Sequence, residues 1–230
     1  MVSERDSLAG RYRVRRHLPL YRVGRAVIVP VFKLLSAYEV RGRDNIPATG
    51  PVILAGTHRS YLDIPFMGFL TRRVVHFMGK AELWDHRFSG WFCTHMGSFP
   101  VRRGLADRNS LRTAQGVLDD GQVLGIFPEG ARKDGPLLED FHGGCVYLAQ
   151  RTGAPIIPVA MHGTGNLMGA DGRLRPFHKV RVRAGTPMWV PADAGYRARG
   201  EALEELRLTM QDMYSALRLI AGEPLGPNGT

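Results

Sequence analysis

Residues 51–63 read Pro51-Val52-Ile53-Leu54-Ala55-Gly56-Thr57-His58-Arg59-Ser60-Tyr61-Leu62-Asp63. Pro51–Ala55 is a short, uninterrupted apolar run, the pattern of a strand buried on both faces. Four further runs resemble it: Val74–Met78, Val123–Phe127, Ile156–Met161 and Val180–Ala184. Between them lie longer segments with helical spacing, Arg108–Leu118 and Phe141–Thr152. Strands alternating with helices predict an α/β fold, a single domain with a mixed, largely parallel sheet flanked by helices. A histidine just past the end of a buried strand then stands where open α/β sheets hold their ligands.

The punctuation agrees with that fold. Asn45-Ile46-Pro47, Asp119-Asp120-Gly121, Gly163-Thr164-Gly165 and Ala170-Asp171-Gly172 read as turns. Leu203, Leu206, Met210, Met213, Leu217 and Ile220 recur at spacings of three and four, so a helix with one apolar stripe covers the sheet. Gly222 and Pro224 end it. Cys93 and Cys145 form no metal-spaced pair and no disulfide framework, and the GGCVYLA context of Cys145 predicts a buried thiol in a reducing compartment.

A net charge of +10 calls for an anionic partner or surface. Eight basic residues fall within the first 33, against Glu4 and Asp6. The run Val27-Ile28-Val29-Pro30-Val31-Phe32 follows the first seven of them and is closed by the eighth, Lys33. It is far short of the roughly 18–20 apolar residues that span a bilayer, and no small-residue cleavage site follows it. Arginines for anionic headgroups and apolar residues for the acyl boundary make residues 1–40 an expected membrane-associating segment. A solvated arm followed by a helix packed on the domain is the alternative. Residues 41–222 are expected to form the catalytic domain, and 223–230 a flexible tail.

His58 and Asp63 are the first candidate pair. Five residues along a regular helix leave two side chains about 140° apart, so they meet only if the chain turns between them. Ser60-x-x-Asp63 has the form of a capping box, which supplies such a turn and also gives Asp63 a purely structural use. If they meet, a neutral imidazole takes the proton of an attacking hydroxyl while the carboxylate fixes its tautomer. There is no G-x-S-x-G elbow and no cysteine beside a histidine in sequence. A substrate hydroxyl as nucleophile and an already activated acyl donor fit that absence. Gly97-Ser98-Phe99-Pro100-Val101-Arg102-Arg103-Gly104 reads as an oxyanion-binding loop or a basic surface turn. Phe127-Pro128-Glu129-Gly130-Ala131-Arg132-Lys133 follows a strand, so its carboxylate and arginine share the sheet edge of His58, as a site or as a surface ion pair. Pro155-Ile156-Ile157-Pro158-Val159 reads as a buried strand shaping a pocket wall.

In this order and at these intervals, the four blocks resemble the glycerolipid acyltransferases, a family that includes the 1-acylglycerol-3-phosphate acyltransferases. The resemblance implies that His58 is the general base and Asp63 its orienting partner. It gives Arg103 to the acceptor's phosphate, and Glu129, Gly130 and Arg132 to its glycerol and phosphate groups. Lys80, in Gly79-Lys80-Ala81-Glu82-Leu83, matches a lysine such enzymes carry beside the site. The family takes acyl-CoA or acyl carrier protein as donor and needs no metal or other cofactor. Its acceptor here would be a lysophospholipid, met by a peripheral protein on the cytoplasmic face of the cell membrane.

Ala131 and Lys133 stand where the family's third block commonly has threonine and serine, Arg102 where an acidic residue is frequent, and His142 where a lysine is usual. The added positive charge favours an anionic acceptor. Glycerol 3-phosphate, a glycolipid or an amine lipid remain as other acceptors. Nucleic acid is disfavoured, since neither a basic recognition helix nor an aromatic platform is evident. Oligomeric state is not legible.

Overall fold

The computed structural model describes residues 19–101, 108–169 and 171–223. Among these, one seven-stranded sheet runs in the order β1-β7-β6-β2-β5-β3-β4. The strands are β1 Glu39–Arg41, β2 Val52–Gly56, β3 Val75–Lys80, β4 Ser98–Val101, β5 Val123–Ile126, β6 Ile156–His162 and β7 Arg181–Ala184. β2 to β6 are mutually parallel, β7 runs antiparallel to β6, and β1 is parallel to β7. The expected mixed, largely parallel α/β sheet is therefore the fold.

β2 lies at its centre and is buried throughout. Its side chains alternate between two cores, because successive residues of a strand point to opposite faces. Ile53 and Ala55 join α4 Arg108–Asp119, α5 Gly144–Thr152 and the long α7 Tyr196–Ile220. Val52 and Leu54 join Phe66 and Met67 of α2 Asp63–Gly68. The remaining helices are α1 Pro19–Leu35, α3 Arg87–His95 and the short α6 Thr164–Leu167, with 3-10 turns at Arg43–Asn45 and Ala81–Trp84. After β5 the chain crosses over β2 to form β6, so the loops leaving β2 and β5 meet on the carboxyl edge at the point where the strand order reverses.

Two strands escape the apolar-run reading. β1 is Glu-Val-Arg, too short and too charged to show a pattern. β4 holds Pro100, and the sequence reading made this stretch part of a loop. As the last strand of the sheet, β4 needs a ladder on one side only, which is where a strand accommodates proline. The stripe read over 203–220 lies in a helix that begins seven residues earlier, at Tyr196, because its first turns face solvent and carry no apolar signal. Gly222 adopts the left-handed conformation that stops it. Residues 224–230, in the expected tail, and residues 1–18 lie outside the described residues.

α1 is 17 residues long with Pro30 inside it. At 1.5 Å per residue that is about 26 Å, short of a hydrocarbon core of roughly 30 Å. No described helix is long and apolar enough to cross a membrane. Its inward face packs Ile28, Val29 and Phe32 on the domain, where Phe32 meets Phe66 edge-on at 5.3 Å. Val23, Val27, Val31 and Leu34 form an exposed stripe on the other side.

Candidate active site

The carboxyl end of β2 is clamped before the site begins. Thr57 Oγ1 accepts from the Met161 N–H at 2.9 Å and donates to the Met161 carbonyl at 3.3 Å, holding β2 to β6. The chain then turns instead of continuing as a helix, since α2 starts only at Asp63. One carboxylate oxygen organises that turn. Asp63 Oδ2 accepts the backbone N–H of Arg59 at 2.6 Å and of Ser60 at 2.7 Å, and it lies 2.9 Å from His58 Nδ1. The Ser60–Asp63 contact is half of a capping box. The other half is absent: the Asp63 N–H goes to the Ser60 carbonyl at 3.2 Å, while Ser60 Oγ accepts the Leu62 N–H at 3.3 Å and donates to the Met168 carbonyl at 2.8 Å. Capping and pairing with histidine therefore coexist in Asp63.

Both members of the pair are buried, His58 at 5% exposure and Asp63 at 0%. A buried carboxylate against Nδ1 selects the tautomer with the proton there and leaves the lone pair on Nε2. Nε2 has no hydrogen-bond partner among the described residues. The imidazole stacks on Phe127 at 4.0 Å with the planes 16° apart, and Phe127 in turn faces Phe77 at 6.2 Å. Gly125 makes room for that stack, since a Cβ there would stand 2.3 Å from the Phe77 ring.

The third block reaches the same loop by a different route from the one expected. Glu129 is fully enclosed, with Oε1 accepting the His58 N–H at 2.9 Å and Oε2 accepting Arg59 Nη1 at 2.7 Å. Both carboxylate oxygens are thus engaged by the protein, not turned toward an acceptor. Arg59 also donates to the carbonyls of His58 and Leu137 and lies over the Tyr214 ring at 5.1 Å. Gly130 has φ of 68°, and a Cβ there would stand 2.7 Å from the His142 ring. Arg132 is exposed, stacked on Tyr61 at 3.7 Å and bonded to its hydroxyl at 3.0 Å. Lys133, read as added positive charge, is paired with Asp140 at 3.0 Å, so its field is largely cancelled. Lys80 ends β3 on the same sheet edge, half exposed, with Glu82 3.6 Å away. Arg103 lies outside the described residues.

An apolar cavity of about 320 Å³ runs between α1 and α3, reaching Tyr61 and Ile64 on the loop of the pair but lined by neither His58 nor Asp63. Phe77, Tyr61 and Ile64 line it near the loop, Ile28 and Phe32 from α1, and Leu83, Phe92 and Met96 on the far side. The Ile156–Val159 strand, expected to wall a pocket, does not line this one. It is buried inside the sheet with helices over both faces.

Residues 37–162 match the family model described as Acyltransferase. The chain belongs to that family. It resembles the 1-acyl-sn-glycerol-3-phosphate acyltransferase of Bacillus subtilis, at 30% identity over 171 residues covering 70% of this chain and 84% of that one. A lyso-ornithine lipid O-acyltransferase of Pseudomonas aeruginosa is 34% identical over 126 residues, 54% of this chain and 47% of the relative. The chain also spans about half the length of the plant relatives it matches. The crystal structure of PlsC, the 1-acyl-sn-glycerophosphate acyltransferase of Thermotoga maritima, has the same fold, with a TM-score of 0.69 and 24% identity over 84% of this chain and 79% of that one.

In this acyltransferase, sequence reasoning missed Arg59, Phe127 as the wall behind the imidazole, and the Tyr61–Arg132 stack. Opposite charges at Arg59 and Glu129, one in each block, were the signal for the first. Nothing in the spacing announces the aromatic contacts.

Proposed function

We propose that the chain transfers a fatty acyl group from acyl-CoA or acyl carrier protein to the free hydroxyl of 1-acylglycerol 3-phosphate, giving phosphatidic acid. The observation that carries this reading is the 2.9 Å approach of His58 Nδ1 to buried Asp63, on a loop whose Tyr61 and Ile64 line an apolar cavity. In the proposed step, Nε2 takes the proton of the acceptor hydroxyl as its oxygen attacks the thioester carbonyl. The C–S bond breaks, and the imidazolium returns its proton to the departing thiolate. Asp63 holds the ring in the productive tautomer and stabilises the imidazolium.

Glu129 and Arg59 act one layer back, fixing the His58 backbone by a buried ion pair. Arg132, oriented by Tyr61, and Arg103 are the proposed phosphate ligands, with Gly130 leaving the approach open and Lys80 adding charge at the rim. The apolar cavity is the proposed seat of an acyl chain. The exposed stripe Val23, Val27, Val31 and Leu34, with Lys33 on the same helix, supports peripheral attachment to the cytoplasmic face of an anionic membrane.

A second acceptor, an amine lipid, is favoured by the likeness to the lyso-ornithine lipid enzyme. Thiol release with lysophosphatidate, glycerol 3-phosphate and a lyso-amine lipid in parallel decides between them. His58→Ala is expected to lower turnover on the preferred acceptor by roughly 10²–10⁴-fold or more. Near-normal turnover in that variant removes the assignment.

A further inference from the structure

The proposed reaction leaves one strongly charged feature unused. On the amino edge of the sheet, opposite His58, the turns before β2, β3 and β5 and the start of α1 enclose an open cleft of about 660 Å³. Arg22 and Arg25 enter it from α1, Arg72 and Arg73 from the turn before β3, and Asp120 is the one acidic residue of its lining among the described residues.

None of these four guanidinium groups has a carboxylate partner among the described residues. Arg73 is held by neutral groups, donating to the carbonyls of Pro47 at 3.0 Å, Gly50 at 2.6 Å and Gly121 at 2.5 Å. Arg25 donates to the carbonyls of Gly68 and Phe69. Arg22 and Arg72 are exposed and make no hydrogen bond or ion pair with a described residue. Elsewhere Arg41, Arg59, Arg175, Arg197 and Arg207 each pair with a carboxylate. Burial pulls the Arg73 pKa down with nothing raising it, the mark of a charge losing water without gaining a counter-ion.

Four like charges converging on one cleft repel one another until an anion enters. Two of them are already oriented by carbonyls and two are free to close over a ligand. A guanidinium matches two oxygens of a phosphate at once. We propose that this cleft is a phosphate-binding site separate from the reaction centre. Arg22 adjoins Val23 of the exposed α1 stripe, so the phosphate of an anionic lipid headgroup reaches the cleft when α1 lies in the interface. A free phosphate offers the same oxygens. The lipid source rests on the membrane reading above, while the cleft itself does not.

The test uses the full chain and the double substitution Arg22→Gln with Arg72→Gln, which removes no hydrogen bond or ion pair with a described residue. Its control is Arg151→Gln with Arg173→Gln, an equal loss of charge at exposed sites elsewhere. Sedimentation is measured with phosphatidylcholine vesicles and with phosphatidylcholine mixed with phosphatidylglycerol. At roughly 1 kcal/mol per arginine, the cleft variant is expected to bind the mixed vesicles about thirtyfold more weakly, with the control nearly unchanged. Melting in inorganic phosphate against chloride of equal ionic strength forms the second arm. A phosphate-dependent rise in Tm that the cleft variant loses, with vesicle binding intact, assigns the site to free phosphate. Equal losses in cleft and control variants, or no dependence on Arg22 and Arg72 in either arm, overturns the proposal. Thiol release on detergent-dispersed substrate should be the same in all three proteins, which keeps this outcome distinct from a failure of the catalytic reading.

Discussion

The two edges of the sheet treat charge in opposite ways. On the carboxyl edge His58 meets Asp63, Arg59 meets Glu129 and Lys133 meets Asp140. On the amino edge four arginines lie against carbonyl oxygens or solvent. The same parallel strands end at both edges, so the loops and the packing of α1 create the difference. Where a charge has to hold a geometry, the chain supplies a counter-charge and buries the pair. Where charges are left uncompensated, they are available to something that arrives.

The widest separation between the edges is expected from Asp63→Asn. The amide retains one oxygen for the N–H groups of Arg59 and Ser60, so the turn survives. The same oxygen still accepts from Nδ1–H, so the tautomer is kept as well, and what is lost is the negative charge that would stabilise an imidazolium. Single-turnover thiol release should fall by roughly 10²–10⁴-fold with little change in Tm. A loss of less than about tenfold would break the comparison, because the carboxyl-edge pairing would then be structural.

Glu129→Ala tests the other buried pair by stability. It strands Arg59, whose side chain is 8% exposed, without its partner. Denaturant unfolding should show a loss of about 3–5 kcal/mol. Arg72→Gln, on the amino edge, should stay within about 0.5 kcal/mol of the parent. Similar values for the two would mean that the buried ion pair contributes no more than a surface charge.

How much of this was legible beforehand follows from where the signals lie. The five apolar runs revealed the buried strands because parallel strands covered on both faces need no polar alternation. The edge strands β1 and β4 were hidden for the converse reason: one is charged, and the other carries a proline that only an edge tolerates. His58 and Asp63 were readable as a pair only through the ordered blocks, since their spacing alone argues against contact. Glu129 was legible as important but not as inward-facing, because its partners are the His58 backbone and an arginine some seventy residues away in sequence. The amino-edge cleft could not be read at all. Arg22 and Arg72 are fifty residues apart, and only the packing of α1 brings them to one opening.

The smallest effect contrasts His58 with a histidine nearer the amino edge. His76, the second residue of β3, is fully buried, and burial pushes its pKa down to about 4. A hydrogen bond from Nδ1 to the Gly97 carbonyl, 3.1 Å away, pulls only weakly the other way. Between the ordinary value of 6.5 and about 4, the unfolded chain binds a proton that the folded one refuses. His76 thus leaves stability whole above pH 6.5 and erodes it as the pH falls toward 4, by about 3 kcal/mol in all. His76→Asn keeps a donor for the Gly97 carbonyl and has nothing to titrate. Urea unfolding measured across that range should give a flatter fall in stability for the variant than for the parent. Parallel curves would mean that His76 accepts its proton as readily in the folded chain as in the unfolded one.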